Sequence, residues 1–185
     1  VLITDKDIYC SNAGDSRGVL SNNGNVVELS QDHKPDNVGE MRRIEKANHY
    51  VEDSRVDGNL ASAGRLAISS IKIIDLDPKD QAVTSFPEIK KIERSPGSDK
   101  FIILACDGIW DCLKNEECIQ LLDMKLKSKS DKSASSNVHS EIVAEMFDQI
   151  LSPNTDDGIG TDNMTAILIN FEKSESNDCY MDKNK

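Results

Sequence analysis

A chain of 185 residues is one domain's worth, long enough to bury roughly 70% of the surface that its unfolded form exposes. Its 33 acidic against 22 basic residues give a formal charge of −11, which argues against an electrostatic grip on nucleic acid or anionic lipid and favours cations as guests. No apolar run is long enough to cross a membrane as a helix, and five cysteines without a close CxxC pair or a leader at Val1 predict a reducing compartment, cytoplasmic or nuclear.

Val1 to Ile3 is apolar from the first residue, so the chain is expected to begin inside a strand, as a fragment would. Ile8 to Ser11 and Gly18 to Ser21 read as strands around the polar turn Asn12 to Arg17. Asn23-Gly24 marks a further turn before Val26 to Leu29, which predicts an antiparallel meander. Asn37 with Glu40 fits a capping box, Val38, Met41 and Ile44 follow at helical spacing to Ala47, and Asn48 suits a left-handed cap. Tyr50 to Ile74 lacks sustained periodicity and reads as a long loop or flap, with Val56, Leu60, Leu66 and Ile68 as its contacts with a core.

Glu88 to Glu93 alternates apolar and charged residues as a half-exposed strand does, and Pro96-Gly97-Ser98-Asp99 predicts a hairpin into the next strand. That strand is the unbroken apolar run from Phe101 to Cys106, the pattern of a strand buried on both faces. Asn115 followed by Glu116 and Glu117 starts a short amphipathic helix with Ile119, Leu122 and Leu126 as its stripe. Lys125 to Ser136 reads as a solvated lysine-serine linker, and Ile142, Val143, Met146, Phe147, Ile150 and Leu151 mark a second helix ending at Ser152-Pro153. Met164 to Phe171 is another largely apolar strand, and the polar residues 174–185 read as a disordered tail.

The chemistry gathers where the apolar run stops. Asp107-Gly108 ends it, and a helical turn there sets Asp111 on the same side as Asp107. If the strand ending at Cys106 pairs antiparallel with the one opening at Met164, Asp162 becomes a neighbour of Asp107, and Asp15 joins them if its turn faces the same edge. Close carboxylates raise one another's pKa, so a cation or a shared proton is expected between them, and hard oxygens favour Mg²⁺, Mn²⁺ or Ca²⁺ as the cation. The plainer alternative makes all four aspartates turn and helix caps. His33, His49 and His139 have no ligand spacing and read as surface or cap, Cys106 lacks the arginine of a cysteine-phosphatase loop and reads as core packing, and no nucleotide-binding glycine loop occurs.

Five strings in order carry a resemblance. They are Asn12-Ala13-Gly14-Asp15-Ser16-Arg17; Asp32-His33-Lys34-Pro35 with Glu40 and Arg43-Ile44; Arg55-Val56-Asp57-Gly58-Asn59-Leu60; Leu104-Ala105-Cys106-Asp107-Gly108-Ile109-Trp110-Asp111; and Gly160-Thr161-Asp162-Asn163-Met164-Thr165. Together the chain resembles the metal-dependent serine/threonine protein phosphatases of type 2C over about Leu2 to Phe171. The resemblance implies an α+β fold, a four-layer α/β/β/α sandwich of two mainly antiparallel sheets, with residues 1–173 as the C-terminal part of a catalytic domain that is incomplete at its N-terminal side.

The same resemblance implies Mg²⁺ or Mn²⁺, two or more ions per complete site, and hydrolysis of phosphoserine and phosphothreonine by a metal-activated water. Asp107 and Asp162 fall where relatives place ligands of one of their paired metals, Asp111 and Asp15 where they contribute, with Asp107, to a weaker additional site; no catalytic residue beyond the metal ligands is implied. Asp32-His33-Lys34-Pro35 and the helix after it are implied as structural supports beside the flap. Phosphoproteins are the implied partners, without nucleic acid or membrane, and a monomer is compatible with a complete domain. The family's N-terminal motifs have no counterpart here, so the chain alone is expected to be inactive. Ala61 to Ser70 also departs from the family pattern, with Arg65 offset and an aspartate missing. A second reading is a catalytically inactive relative that serves as a protein-binding or regulatory module.

Overall fold

The computed structural model describes residues 1–64, 76–130, 137–154 and 158–171. The expected tail, the flap residues Leu66 and Ile68, and the end of the lysine-serine stretch lie outside the described residues. Two antiparallel sheets face one another. The first has three strands in the order β1 (Leu2–Ile3), β2 (Asp7–Asn12) and β7 (Glu88–Glu93); the second has four, in the order β4 (Asn25–Glu28), β3 (Arg17–Asn22), β8 (Asp99–Ala105) and β9 (Ala166–Asn170). A short pair, β5 (Val51–Glu52) with β6 (Arg55–Val56), stands apart.

β8 is central because both of its faces are apolar. Phe101, Ile103 and Ala105 point towards α3 (Asn115–Ser130) and α4 (Val138–Ile150), joining Ile119, Leu122, Ile142 and Met146 in one core. Ile102, on the opposite face, packs with Ile8, Cys10, Leu20 and Leu29 between the two sheets. Each Leu, Ile, Phe and Met among them contributes about 1.5–3 kcal/mol on full burial, and a slip of one residue would exchange the two sets, so the pattern fixes the register of β8 against β3 and β9. Cys118 belongs to the helix-side core, where burial pushes its thiol up to about 12. The result is three of the four expected layers among the described residues: helices, four-stranded sheet and three-stranded sheet. α1 (Val38–Lys46) packs in a separate cluster with Ala47, Val56, Ala63, Ala82 and Val83, and Asn48 caps it in the left-handed region at φ 60°.

Several local expectations give way. The opening is not one meander, because β2 and β3 belong to different sheets: Asn12 donates to the Gly14 and Gln31 carbonyls, and Asn12 to Arg17 is a crossing between sheets. β7 and β8 likewise form no hairpin, since the Asp99 carboxylate holds the Ser95 amide and the Asn22 side chain and turns the chain from one sheet into the other. Turn residues announce a reversal but not the partner of the strand that follows. The capping box at Asn37 is absent, as Asn37 donates to the Asp32 carbonyl and Glu40 pairs with Arg43. The stretch from Lys125 is helical to Ser130, with Lys125 and Lys129 bonded to Glu145 and Lys129 also to Glu141 on α4.

Candidate active site

The register of the four-stranded sheet decides which loops meet. Arg17 pairs with Ala105, so two further residues along each chain bring Asp15 and Asp107 to the same end. Ala105 also pairs with Ala166, which sets the entrance of β9 beside the exit of β8. Asp107 opens a single helical turn, α2 (Asp107–Trp110), and the Asp111 amide donates to the Asp107 carbonyl at 2.8 Å, so Asp111 closes that turn. The turn is seated by Trp110, whose Nε1 donates to the Ala105 carbonyl at 2.9 Å.

Gly108 shows how closely the third loop approaches. A Cβ added there would lie 2.4 Å from the Asn163 carbonyl oxygen and 3.5 Å from the Asp162 Cβ, so only glycine admits the Asp162 loop to this position. Asp107 Oδ1 accepts from the Gly108 amide at 3.0 Å, and Asp162 Oδ1 accepts from the Asn163 amide at 2.7 Å. In each carboxylate the other oxygen makes no hydrogen bond among the described residues. Burial, together with the nearby charges of Asp107 and Asp32, holds the Asp15 carboxyl above its ordinary 3.8, against its own backbone hydrogen bond and the pull of Lys34.

Asp15 and Asp107 are electrostatically coupled, Asp107 and Asp162 flank Gly108, and Asp111, one helical turn on from Asp107, has the Lys34 ammonium 3.7 Å from its Oδ1, the same lysine whose charge acts on Asp15. Among the described residues no three acidic, histidine or cysteine side chains gather closely enough to enclose an ion. The donor set itself suits a hard divalent cation: one oxygen each of Asp107 and Asp162 is open, and the Asp15 carboxyl stays raised despite the pull of Lys34.

A brace of buried and half-buried groups stands behind these carboxylates. Arg17 donates to both oxygens of Asp32 at 2.9 and 2.8 Å and to Asn115 Oδ1 at 2.7 Å, while its guanidinium lies 5.1 Å from the Trp110 ring centroid. Those bonds raise its already high pKa further, with Asp32 the largest cause. His33 is buried rather than superficial: its Nδ1 accepts from the Gly14 amide at 3.4 Å, and its own amide donates to the Gly14 carbonyl at 2.9 Å. Gly64 presses on the same place, where an added Cβ would lie 2.6 Å from the Gly14 nitrogen. A polar groove of about 520 Å³, lined by Arg17, Glu28, Gln31, Asp32 and Lys34, runs beside this brace.

The residues whose roles the sequence understated are Lys34, read as a support but paired to Asp111, and Cys106, read as core packing. Cys106 is half-buried, and its sulfur donates to the Asn163 carbonyl at 3.3 Å and accepts from the Thr165 amide at 3.2 Å. The signal available was its place directly before Asp107.

Comparison with known proteins bears on the family and the fold. The family described as "Protein phosphatase 2C" matches residues 1–158. The chain is 39% identical over 173 residues to "Probable protein phosphatase 2C 3" of Paramecium tetraurelia, covering 93% of this chain and 56% of that protein. It is 40% identical over 185 residues to "Probable protein phosphatase 2C T23F11.1" of Caenorhabditis elegans, covering 99% of this chain and 50% of that protein. The chain thus spans about half the length of these curated relatives. Among solved structures, a phosphatase from Toxoplasma gondii superimposes with a TM-score of 0.72 at 27% identity, over 92% of this chain and 50% of that one.

Proposed function

From the premise that this chain belongs to the protein phosphatase 2C family, we propose that it carries the C-terminal share of the site of a metal-dependent protein serine/threonine phosphatase. The supporting observation is the convergence of Asp15, Asp107 and Asp162 at one end of the four-stranded sheet, with Asp107 and Asp162 on either side of Gly108. Asp107 and Asp162 would hold Mg²⁺ or Mn²⁺, and Asp15 and Asp111 would serve a further ion. A bound cation would supply Lewis acidity that activates water and offsets phosphate charge.

The chain's own part in that reaction is positional. Gly108 admits the Asp162 loop, Trp110 fixes the turn that presents Asp107, and the Arg17–Asp32–Asn115 network holds the base of the Asp15 loop. Arg17 is engaged by Asp32 and Asn115, so it serves the scaffold, while half-exposed Lys34 stands at the rim where a phosphate would approach. The remaining ligands and any proton donor would come from sequence of the kind that relatives hold outside the matched half, and the substrates would be phosphoproteins.

The test is hydrolysis of a phosphothreonine peptide by the full-length gene product with and without Mn²⁺, alongside Asp107→Ala. Mn²⁺-dependent turnover lost on substitution is the expected result. A folded product that binds Mn²⁺ and hydrolyses no phosphopeptide would overturn the reading in favour of a binding module.

A further inference from the structure

We propose that the Cys106 thiol is a positioning residue that ties the loop carrying Asp162 to the strand end carrying Asp107, so that the two carboxylates stand as a pair. The proposal rests on the phosphatase reading for its purpose, but its geometry is independent of it. β8 and β9 pair in register as far as Ala105 and Ala166, and beyond that point the two chains must diverge to form the Asp107 turn and the Asp162 loop. One backbone bond continues the ladder, from the Cys106 amide to the Thr165 carbonyl at 3.1 Å. Among the described residues no strand pairing continues beyond it to hold residues 162–164.

The thiol takes over there. It donates to the Asn163 carbonyl at 3.3 Å and accepts from the Thr165 amide at 3.2 Å, so one side chain engages the loop on both sides of Met164. The same Asn163 carbonyl is the atom that faces Gly108, which means that the sulfur sets the distance at which the loop rests on the Asp107 turn. Sulfur suits this span, because its bonds are longer than those of a hydroxyl and it both donates and accepts weakly. Cys112 provides the contrast: its thiol donates to the Gly108 carbonyl at 3.3 Å, four residues back in its own segment, and makes no hydrogen bond to β9 or the Asp162 loop among the described residues.

Outer groups that orient metal ligands are worth about 10–100-fold in affinity, and a group acting through the backbone belongs at the lower end of that range, about tenfold. The experiment compares Cys106→Ala, Cys106→Val, Cys106→Ser and Cys112→Ala in the full-length gene product. Three readouts are taken: hydrogen exchange at the Thr165 amide without metal, Mn²⁺ affinity by paramagnetic titration, and the metal-free unfolding midpoint. The expected result is exchange at Thr165 faster by about tenfold in the alanine and valine variants, with most of the protection kept in the serine variant and all of it in Cys112→Ala. Mn²⁺ affinity should follow the same order while the unfolding midpoint stays near wild type. Unchanged exchange in both apolar variants overturns the proposal, and so does an affinity loss matched by an equal loss of global stability, which would make Cys106 ordinary packing. If the wild-type protein binds no Mn²⁺, the phosphatase reading fails, and the exchange data alone still decide whether the thiol holds the loop.

Discussion

Arg17→Met is the sharpest test of how the site is braced. Methionine keeps most of the side-chain volume but removes the guanidinium, leaving Asp32 without the two bonds it receives at 2.9 and 2.8 Å. The Asp32 side chain is only 10% exposed and that of Arg17 23%, so water replaces those bonds poorly. Charge-assisted bonds of this kind are worth about 1.5 kcal/mol each at the lower end, and the guanidinium over Trp110 adds about 0.5 kcal/mol. Partial solvent access keeps the total near the bottom of the range for breaking a buried pair, about 3 kcal/mol. With a urea slope of about 2.5 kcal/mol per M, the unfolding midpoint of the chain should fall by about 1.2 M. Arg17→Lys should recover less than half of this, because an ammonium cannot span both carboxylate oxygens and Asn115 together. Adding Asp32→Asn to Arg17→Met should return part of the loss, since the stranded charge is then gone. A midpoint within about 0.3 M of wild type for Arg17→Met would refute the reasoning and make the network a surface pair.

Two further predictions concern the carboxylates. Gly108→Ala sets a methyl 2.4 Å from the Asn163 carbonyl oxygen. The loop must then retreat by roughly 1 Å to reach ordinary contact, costing about 1–3 kcal/mol in an unfolding titration and weakening Mn²⁺ binding more than Cys106→Ala does. Asp15 has its folded-state pKa raised above 3.8, so whatever stability it contributes is present below that value and is lost as pH rises through the raised one. In chelator, Asp15→Asn should therefore gain stability relative to wild type as pH rises from about 4 to about 7, while Mn²⁺ should stabilise the wild type more than the variant. A constant difference between the two proteins across that range would mean that Asp15 sits in ordinary solvent.

The fold was legible where burial has a period. The unbroken run from Phe101 to Cys106 announced a strand covered on both faces, and Ile142, Met146 and Ile150 announced the helix that covers one of them. Pairing between β8 and the strand after Met164 stood in the sequence only as a condition for bringing Asp162 beside Asp107, and the structure meets it with five residue pairs from Phe101–Asn170 to Ala105–Ala166. Sheet membership was not legible. A polar turn such as Asn12 to Arg17 has one composition whether it closes a hairpin or crosses to another sheet, and the choice is made by β7 pairing with β2 and by β8 pairing with β3. The lysine-serine stretch misled for a related reason: lysine is both a good helix former and a frequent linker residue, and only acids from α4, distant in sequence, select the helix.

The site divides along the same line. Aspartates at the ends of apolar strands can be picked out, because a charged residue stopping a buried run needs a reason to be there. What holds them in place cannot, since every member of the brace works through contacts between distant positions: Arg17 with Asn115, 98 residues apart, and Cys106 with Asn163 and Thr165, 57 and 59 residues apart. These contacts are polar and short, so no periodicity encodes them and no single residue type betrays them. The ligands and the brace should then fail differently on substitution. Losing Asp107 or Asp162 removes a donor and leaves the scaffold standing, whereas losing Arg17 or the Cys106 thiol leaves every donor present but no longer correctly spaced. Metal affinity, unfolding midpoint and exchange at the Thr165 amide, measured together across these four positions, tell them apart: Arg17→Met lowers the midpoint, Cys106→Ala speeds exchange at an unchanged midpoint, and the two aspartate variants lose affinity alone.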